Sequence, residues 1–113
     1  MARGTLVVFT NPVSREREEE FNDWYNNTHA QDVVSLPGFT AIRRLRVGPD
    51  VRGSLPYRYL AVYECSNVQQ ALESLEAARF GMNISDAMDE AAIAVFYEDI
   101  FSLQKSDLAP ENV

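Results

Sequence analysis

The chain predicts an α+β domain of four antiparallel strands and two helices in the order β-α-β-β-α-β. Three observations carry this. Apolar and polar residues alternate with a period of two over 39–47 and 57–65. Helical spacing governs the stretches that follow the first strand and Cys65. Turn residues punctuate the rest: Asn11-Pro12, Pro37-Gly38 and Gly48-Pro49-Asp50.

Thr5 to Thr10 is rich in β-branched and aromatic residues and predicts a buried strand that Asn11-Pro12 ends. Ser14 is placed to cap a helix from about Arg15 to about Val34, with Glu16 and Glu18 favouring its N-terminal dipole. Phe21, Tyr25, His29, Asp32 and Leu36 fall on one stripe of that helix, while Asn26-Asn27-Thr28 are weak helix formers. Pro37-Gly38 stops it. In the second strand Phe39, Ala41, Arg43, Leu45 and Val47 share one face, with Thr40, Ile42, Arg44 and Arg46 on the other. A third strand spans Tyr57 to Cys65. Ser66 and Gln69 form a capping box for the second helix, whose Val68, Ala71, Leu72, Leu75 and Ala78 lie on one side. Asn83 to Ala91 holds at most a short helical turn begun at Ser85. Ala92 to Leu103 is the last strand, and 104–113 is an extension or disordered tail.

Crossovers between parallel-related strands are right-handed, so this order fits a ferredoxin-like, split-βαβ sheet with both helices on one face. Too many apolar strand positions remain for the other face to meet open water. A second copy of the chain is the simplest cover, giving a homodimer through the open sheet face.

The 113 residues suit a single domain over 1–113, and the 46% hydrophobic and 24% charged content is that of a soluble globular protein. A net charge of −7 disfavours nucleic-acid binding. No apolar run is long enough to span a membrane, and no secretory signal is visible at the start. Cys65 is the one cysteine, which rules out an intrachain disulfide and fits a cytoplasmic location. No metal-ligand spacing, Gly-x-Ser-x-Gly or phosphate loop occurs.

The chemistry-bearing residues gather on the first helix. His29, the only histidine, is the natural proton carrier at neutral pH. Asp32 stands nearly one turn on and is placed to hold one ring nitrogen, as a carboxylate does beside a catalytic histidine. The plainer alternative is a half-buried histidine satisfied by Asp32 or a backbone carbonyl. Trp24 and Tyr25 offer a flat wall for an aromatic ligand, or simple core packing. Arg44, if its strand face is the inner one, is a buried cation that binds a carboxylate or enolate oxygen, or pairs with Glu64 or an aspartate across the sheet. Tyr59, Tyr63 and Tyr97 offer hydroxyls from the sheet. Cys65 reads as a packed thiol.

Asn11-Pro12, the run Glu20-Phe21-Asn22-Asp23-Trp24-Tyr25, His29, Asp32, Pro37-Gly38-Phe39 and Arg44 together resemble the dimeric α/β barrel superfamily, and within it the small EthD-like proteins. The resemblance implies a ligand cleft between the sheet and its own helices, lined by the first-helix histidine. It also implies a range of activities: monooxygenases, lyases, isomerases, polyketide cyclases and non-catalytic members. Ala30-Gln31 departs from the hydrophobic residue and proline that relatives tend to carry after the histidine. A haem-degrading branch has its histidine on the second helix, and none stands there in this chain. Together these readings predict a cofactor-independent enzyme that binds an aromatic or polyketide-like carbonyl compound. His29 is its acid or base, Asp32 the orienting group, and a tyrosine or Arg44 polarises an oxygen. The alternative is a non-catalytic ligand-binding or accessory dimer.

Overall fold

The protein is described here by a computed structural model covering residues 2–109. The expected tail from 104 lies partly on 110–113, outside the described residues. The apolar run after Arg3 forms β1 (Gly4–Thr10), and a helical run follows in three parts: α1 (Glu18–Trp24), a π-helical turn (Tyr25–His29) and α2 (Ala30–Val34). Then come β2 (Phe39–Arg46), β3 (Tyr59–Cys65), α3 (Val68–Ala78) and β4 (Ile93–Glu98). The sheet order is β2-β3-β1-β4 with every pair antiparallel, the ferredoxin-like arrangement predicted from sequence.

Register fixes the two faces. Leu6 lies opposite Tyr63 and Phe96, and Thr10 opposite Tyr59, so these side chains share the face that the helices cover. Phe21, Tyr25, Val33, Tyr63, Ala71 and Ala87 fill the layer between. One prediction fails at the start of β2. Phe39 pairs with Cys65 but Ala41 already pairs with Glu64, so Thr40 is an extra, bulged residue. The bulge puts Phe39 on the same inner face as Ile42 and Arg44 and sends Ala41, Arg43 and Leu45 outward. Strict alternation from Phe39 would have separated them.

Helix starts also differ by a few residues. The first begins at Glu18 after Arg17, and the Ser14 side chain makes no cap; Arg17 instead bonds Glu20 and Asp86, both at 2.6 Å. The second is capped by Asn67 and not by Ser66: the Asn67 side chain accepts from Gln70 N at 3.1 Å, while Ser66 N donates to Gly38 O at 3.0 Å. Gly38 is required by its surroundings. Its φ is +94°, and a Cβ there would sit 2.5 Å from Ala71 N. The close approach seats the start of β2 against α3. A single turn does begin at Ser85, whose hydroxyl accepts from Ala87 N at 3.0 Å. The last strand stops at Glu98, short of the predicted Leu103.

Candidate functional site at the helix–sheet seam

The site grows from the π-helical turn. Ala30 N donates to Tyr25 O, five residues back, where an α-helix would bond four back. The turn carries Asn26, Asn27 and Thr28, whose weak propensity makes the regular ladder easy to leave. One extra residue rotates all that follows by about 100°. The buried stripe therefore runs Phe21, Tyr25, Ala30, Val33 and not Phe21, Tyr25, His29, Asp32. This corrects the predicted stripe. His29 is left half-buried at the flank, and Asp32 points into solvent.

His29 lies flat on Trp24, ring centroids 4.8 Å apart and planes 19° from parallel, and meets the edge of Tyr25 at 5.0 Å. Trp24 is itself tied by its indole N–H to Asn83 O at 3.1 Å. The His29 Nδ1 atom is buried and has no hydrogen-bond partner, and the predicted hydrogen bond from the ring to Asp32 is not made. Burial pushes the imidazole pKa down from 6.5, and the Asp32 charge offsets this only in part. The neutral form, the one able to accept a proton, is thus favoured at neutral pH.

Arg44 reaches the same seam from β2. It stands opposite Ala61, whose small side chain leaves the guanidinium room. Its Cζ lies 4.3 Å from the Tyr25 ring centroid, 5.2 Å from Tyr59 and 5.3 Å from Phe21. Nη1 donates to Asn26 Oδ1 at 3.0 Å, while Nε and Nη2 are buried without partners. No carboxylate lies within salt-bridge distance among the described residues, and Glu64 projects from the opposite face, which corrects the expected ion pair. Ring contacts of this kind stabilise by roughly 1–2 kcal/mol. An orphaned buried donor costs roughly 1–3 kcal/mol, and Arg44 has two such donors. Burial lowers its pKa, and the Tyr25, Tyr59 and Tyr63 oxygens counter that.

The tyrosines divide. Tyr25 and Tyr63 hydroxyls bond each other at 3.0 Å, and burial pushes both pKa values up, keeping them protonated. Tyr59 donates to Glu18 Oε2 at 2.5 Å and accepts from Asn22 Nδ2 at 3.1 Å, while Arg58 Nη2 holds the same Glu18 oxygen at 3.2 Å. Tyr97 pairs with Thr5 on the outer face and is 57% exposed, so it does not join the seam as predicted. Cys65 is buried, with its thiol pKa raised by burial, consistent with a packed thiol.

Glu18 and Asn22 join the site although the sequence assigns Glu18 only to the helix dipole and Asn22 to no role. A signal was present. Glu18, Asn22 and Asn26 recur every fourth residue beside the Phe21/Tyr25 stripe, a polar line against the core. Among the described residues, the buried side-chain polar atoms without partners are Thr10 Oγ1, Asn22 Oδ1, His29 Nδ1, and Arg44 Nε and Nη2. Those of Thr10, Asn22 and Arg44 lie on the seam between the first helical run and the sheet, and that of His29 lies at its flank against Trp24 and Tyr25. Buried polar atoms are nearly always paired in folded proteins, so their concentration in one place is informative.

Two cavities lie beside the seam. One of about 410 Å³ is lined by Asn11, Glu18 and Arg58, and a larger one of about 610 Å³ by Phe9, Leu45, Leu55, Arg58 and Tyr59. Neither is lined by His29 or Arg44. The buried rings of Tyr25 and Tyr59 fill the space between the first helical run and the sheet. No group of three or more potential metal ligands occurs among the described residues, and no helix there is long and apolar enough to cross a membrane.

No protein-family model and no curated protein sequence matches the chain. Solved structures do. The chain is similar to a protein from Shewanella loihica PV-4 provisionally described as a monooxygenase, with a TM-score of 0.61 and 14% identity over 89% of this chain and 97% of that one. It is also similar to an ethyl tert-butyl ether D (EthD) family protein from Bacillus halodurans C-125, with a TM-score of 0.56 and 13% identity over 88% of this chain and all of that one. These likenesses bear out the ferredoxin-like fold and the EthD-like resemblance in backbone architecture.

Proposed function

We propose that the chain is a small cofactor-independent enzyme that binds an aromatic or polyketide-like carbonyl compound at the helix–sheet seam. The observation that carries this reading is the set of orphaned polar atoms, above all two Arg44 donors over the Tyr25 ring, whose edge the neutral His29 also meets. A carbonyl oxygen accepting from Arg44 would gain negative charge as the ligand loses a proton, and a fixed cation is strongest where charge develops. His29 takes the proton from the carbon beside the carbonyl. The C–H electron pair forms the carbon–carbon double bond of the enolate, the carbonyl π pair moves onto the oxygen, and that oxygen rests against Arg44. Isomerisation, cyclisation and elimination all follow from such an enolate, and oxygenation follows when dioxygen is the oxidant that accepts its electrons. Asp32 acts on His29 only through its charge, since it makes no bond to the ring.

Loss of an α-proton is read most directly as deuterium exchange. With a panel of aromatic 1,3-diketones in D₂O followed by NMR, the parent protein accelerates exchange, and His29→Ala lowers that acceleration by about 10²–10⁴-fold. Exchange in the variant within a few-fold of the parent sinks the mechanism. The second reading, a non-catalytic binder or accessory protein, is favoured by one observation: the rings enclose Arg44 and His29. Calorimetric binding of the same diketones without any exchange would select it. Under either reading we propose a homodimer, formed through the outer sheet face.

A further inference from the structure

Beyond β4 the chain does not return to its own domain. Asp99 N is tied to Arg3 O at 2.8 Å, and a short 3₁₀ turn (Lys105–Asp107) is closed by Gln104 N bonding Asp107 Oδ2 at 3.0 Å. Between them Ile100 is 96% exposed, Phe101 79% and Leu103 57%. The radius of gyration, 16.5 Å, exceeds the roughly 13 Å that a compact chain of this length would have. An ordered apolar arm of this kind is a surface that lacks its partner.

The matching surface is the 610 Å³ cavity beneath the 47–58 loop, walled by Phe9, Leu45, Leu55 and Leu60. It lies at the wrong end of the sheet for the chain's own arm. The arm leaves beside Gly4, whereas the cavity sits at Phe9, about 17 Å along β1 at the usual strand rise. A two-fold axis that crosses the strands in the plane of the outer face turns one copy end for end. Each arm then arrives at the cavity end of the other copy, at the β4 edge next to β1, from where it runs inward to the wall that Phe9 begins, and both contacts form at once. Charge fits as well. Residues 98–109 carry Glu98, Asp99 and Asp107 against Lys105, a net −2, while the cavity lining carries Arg46, Arg52 and Arg58 against Asp50, a net +2.

We propose that each copy of the chain seats Ile100 and Phe101 in the cavity of a second copy, so that the arms are exchanged across the outer sheet faces. This rests on the dimer proposed above and specifies its symmetry. It also reaches the candidate site. The cavity is lined by Arg58 and Tyr59, which hold Glu18, so the incoming arm closes that end of the seam.

Light scattering and a mixed cross-link test it. The parent protein has a mass near twice 12.8 kDa at micromolar concentration, and Phe101→Asp raises its dimer dissociation constant about 30-fold or more, as loss of a central anchor does. Phe101→Cys protein mixed with Leu55→Cys protein forms a cross-linked heterodimer on mild oxidation, the native Cys65 being buried. A monomeric parent overturns both the dimer and the arm. A dimer that Phe101→Asp weakens only a few-fold overturns the arm alone. So does cross-linking of Phe101→Cys to itself with none to Leu55→Cys, which means the other two-fold axis.

Discussion

The two faces of one sheet fail in opposite ways. On the inner face, polar atoms are buried without partners: two donors of Arg44, the Nδ1 of His29, Asn22 Oδ1 and Thr10 Oγ1. On the outer side, apolar groups are exposed without partners: Ile93, Val95 and Tyr97 on β4, then Ile100 and Phe101 beyond it. Burial of an unpaired polar group and exposure of an apolar one both cost free energy, and a fold keeps such costs where something else offsets them. The chemistry of each surplus names its complement. Unpaired donors beside rings ask for an oxygen on a flat ligand. Exposed aliphatic and aromatic side chains ask for another apolar surface. That contrast separates ligand binding from self-association within one small domain.

The contrast breaks most visibly in the core. Phe21 is fully buried and touches Trp24, Tyr25 and Tyr59. Phe21→Ala is expected to lower unfolding free energy by about 3–5 kcal/mol in urea titration. Phe101→Ala, at dilutions where the chain is monomeric, should change it by less than about 0.5 kcal/mol. Equal losses would mean that the arm belongs to its own core.

Arg44→Met sharpens the inner half. Replacing an unpaired buried cation by an apolar chain of similar length is expected to leave stability unchanged or raise it by up to about 1–4 kcal/mol. Diketone binding should fall at least tenfold in the same calorimetric assay. A loss of stability near 3 kcal/mol with binding intact would make Arg44 a structural residue.

Asn27 tests the turn. It is exposed in the π-helical segment, and Asn27→Ala adds helix propensity worth up to about 0.7 kcal/mol. Trp24, the only tryptophan, lies on His29, so its fluorescence reports whether the turn keeps its register. A gain in stability with altered Trp24 emission is expected. Unchanged emission would show that packing around Tyr25, not the Asn-Asn-Thr run, holds the π geometry.

The smallest effect is the pH dependence of His29. Its folded pKa is lowered from 6.5 by burial, so the unfolded chain takes up the proton first as pH falls. The stabilising contribution of the neutral ring is complete above about 6.5 and is lost as pH falls through the folded value. Denaturant midpoints for the parent should fall over that window relative to His29→Gln. Parallel pH profiles would remove the buried-imidazole account.

Much of this molecule was legible without coordinates. Period-two alternation, helical spacing and turn residues such as Pro37-Gly38 are local properties of the chain, and they determined the β-α-β-β-α-β order and the presence of an inner and an outer face. They also singled out His29, Tyr25 and Arg44, because polar groups on apolar stripes stand out in any register. What only the tertiary structure decided is phase. A bulge at Thr40 and a five-residue turn after Tyr25 each add one residue to a repeat. Neither has a local sequence rule strong enough to announce it. Each is held by contacts distant in the chain, Gly38 against α3 and Asn26 against Arg44. The bulge moved Phe39 onto the inner face, and the π-helical turn moved Asp32 into solvent and Ala30 into the core. The same long-range packing drew Glu18 to Tyr59 and left Tyr97 outside. Periodicity says which residues travel together, and only packing says where the count restarts.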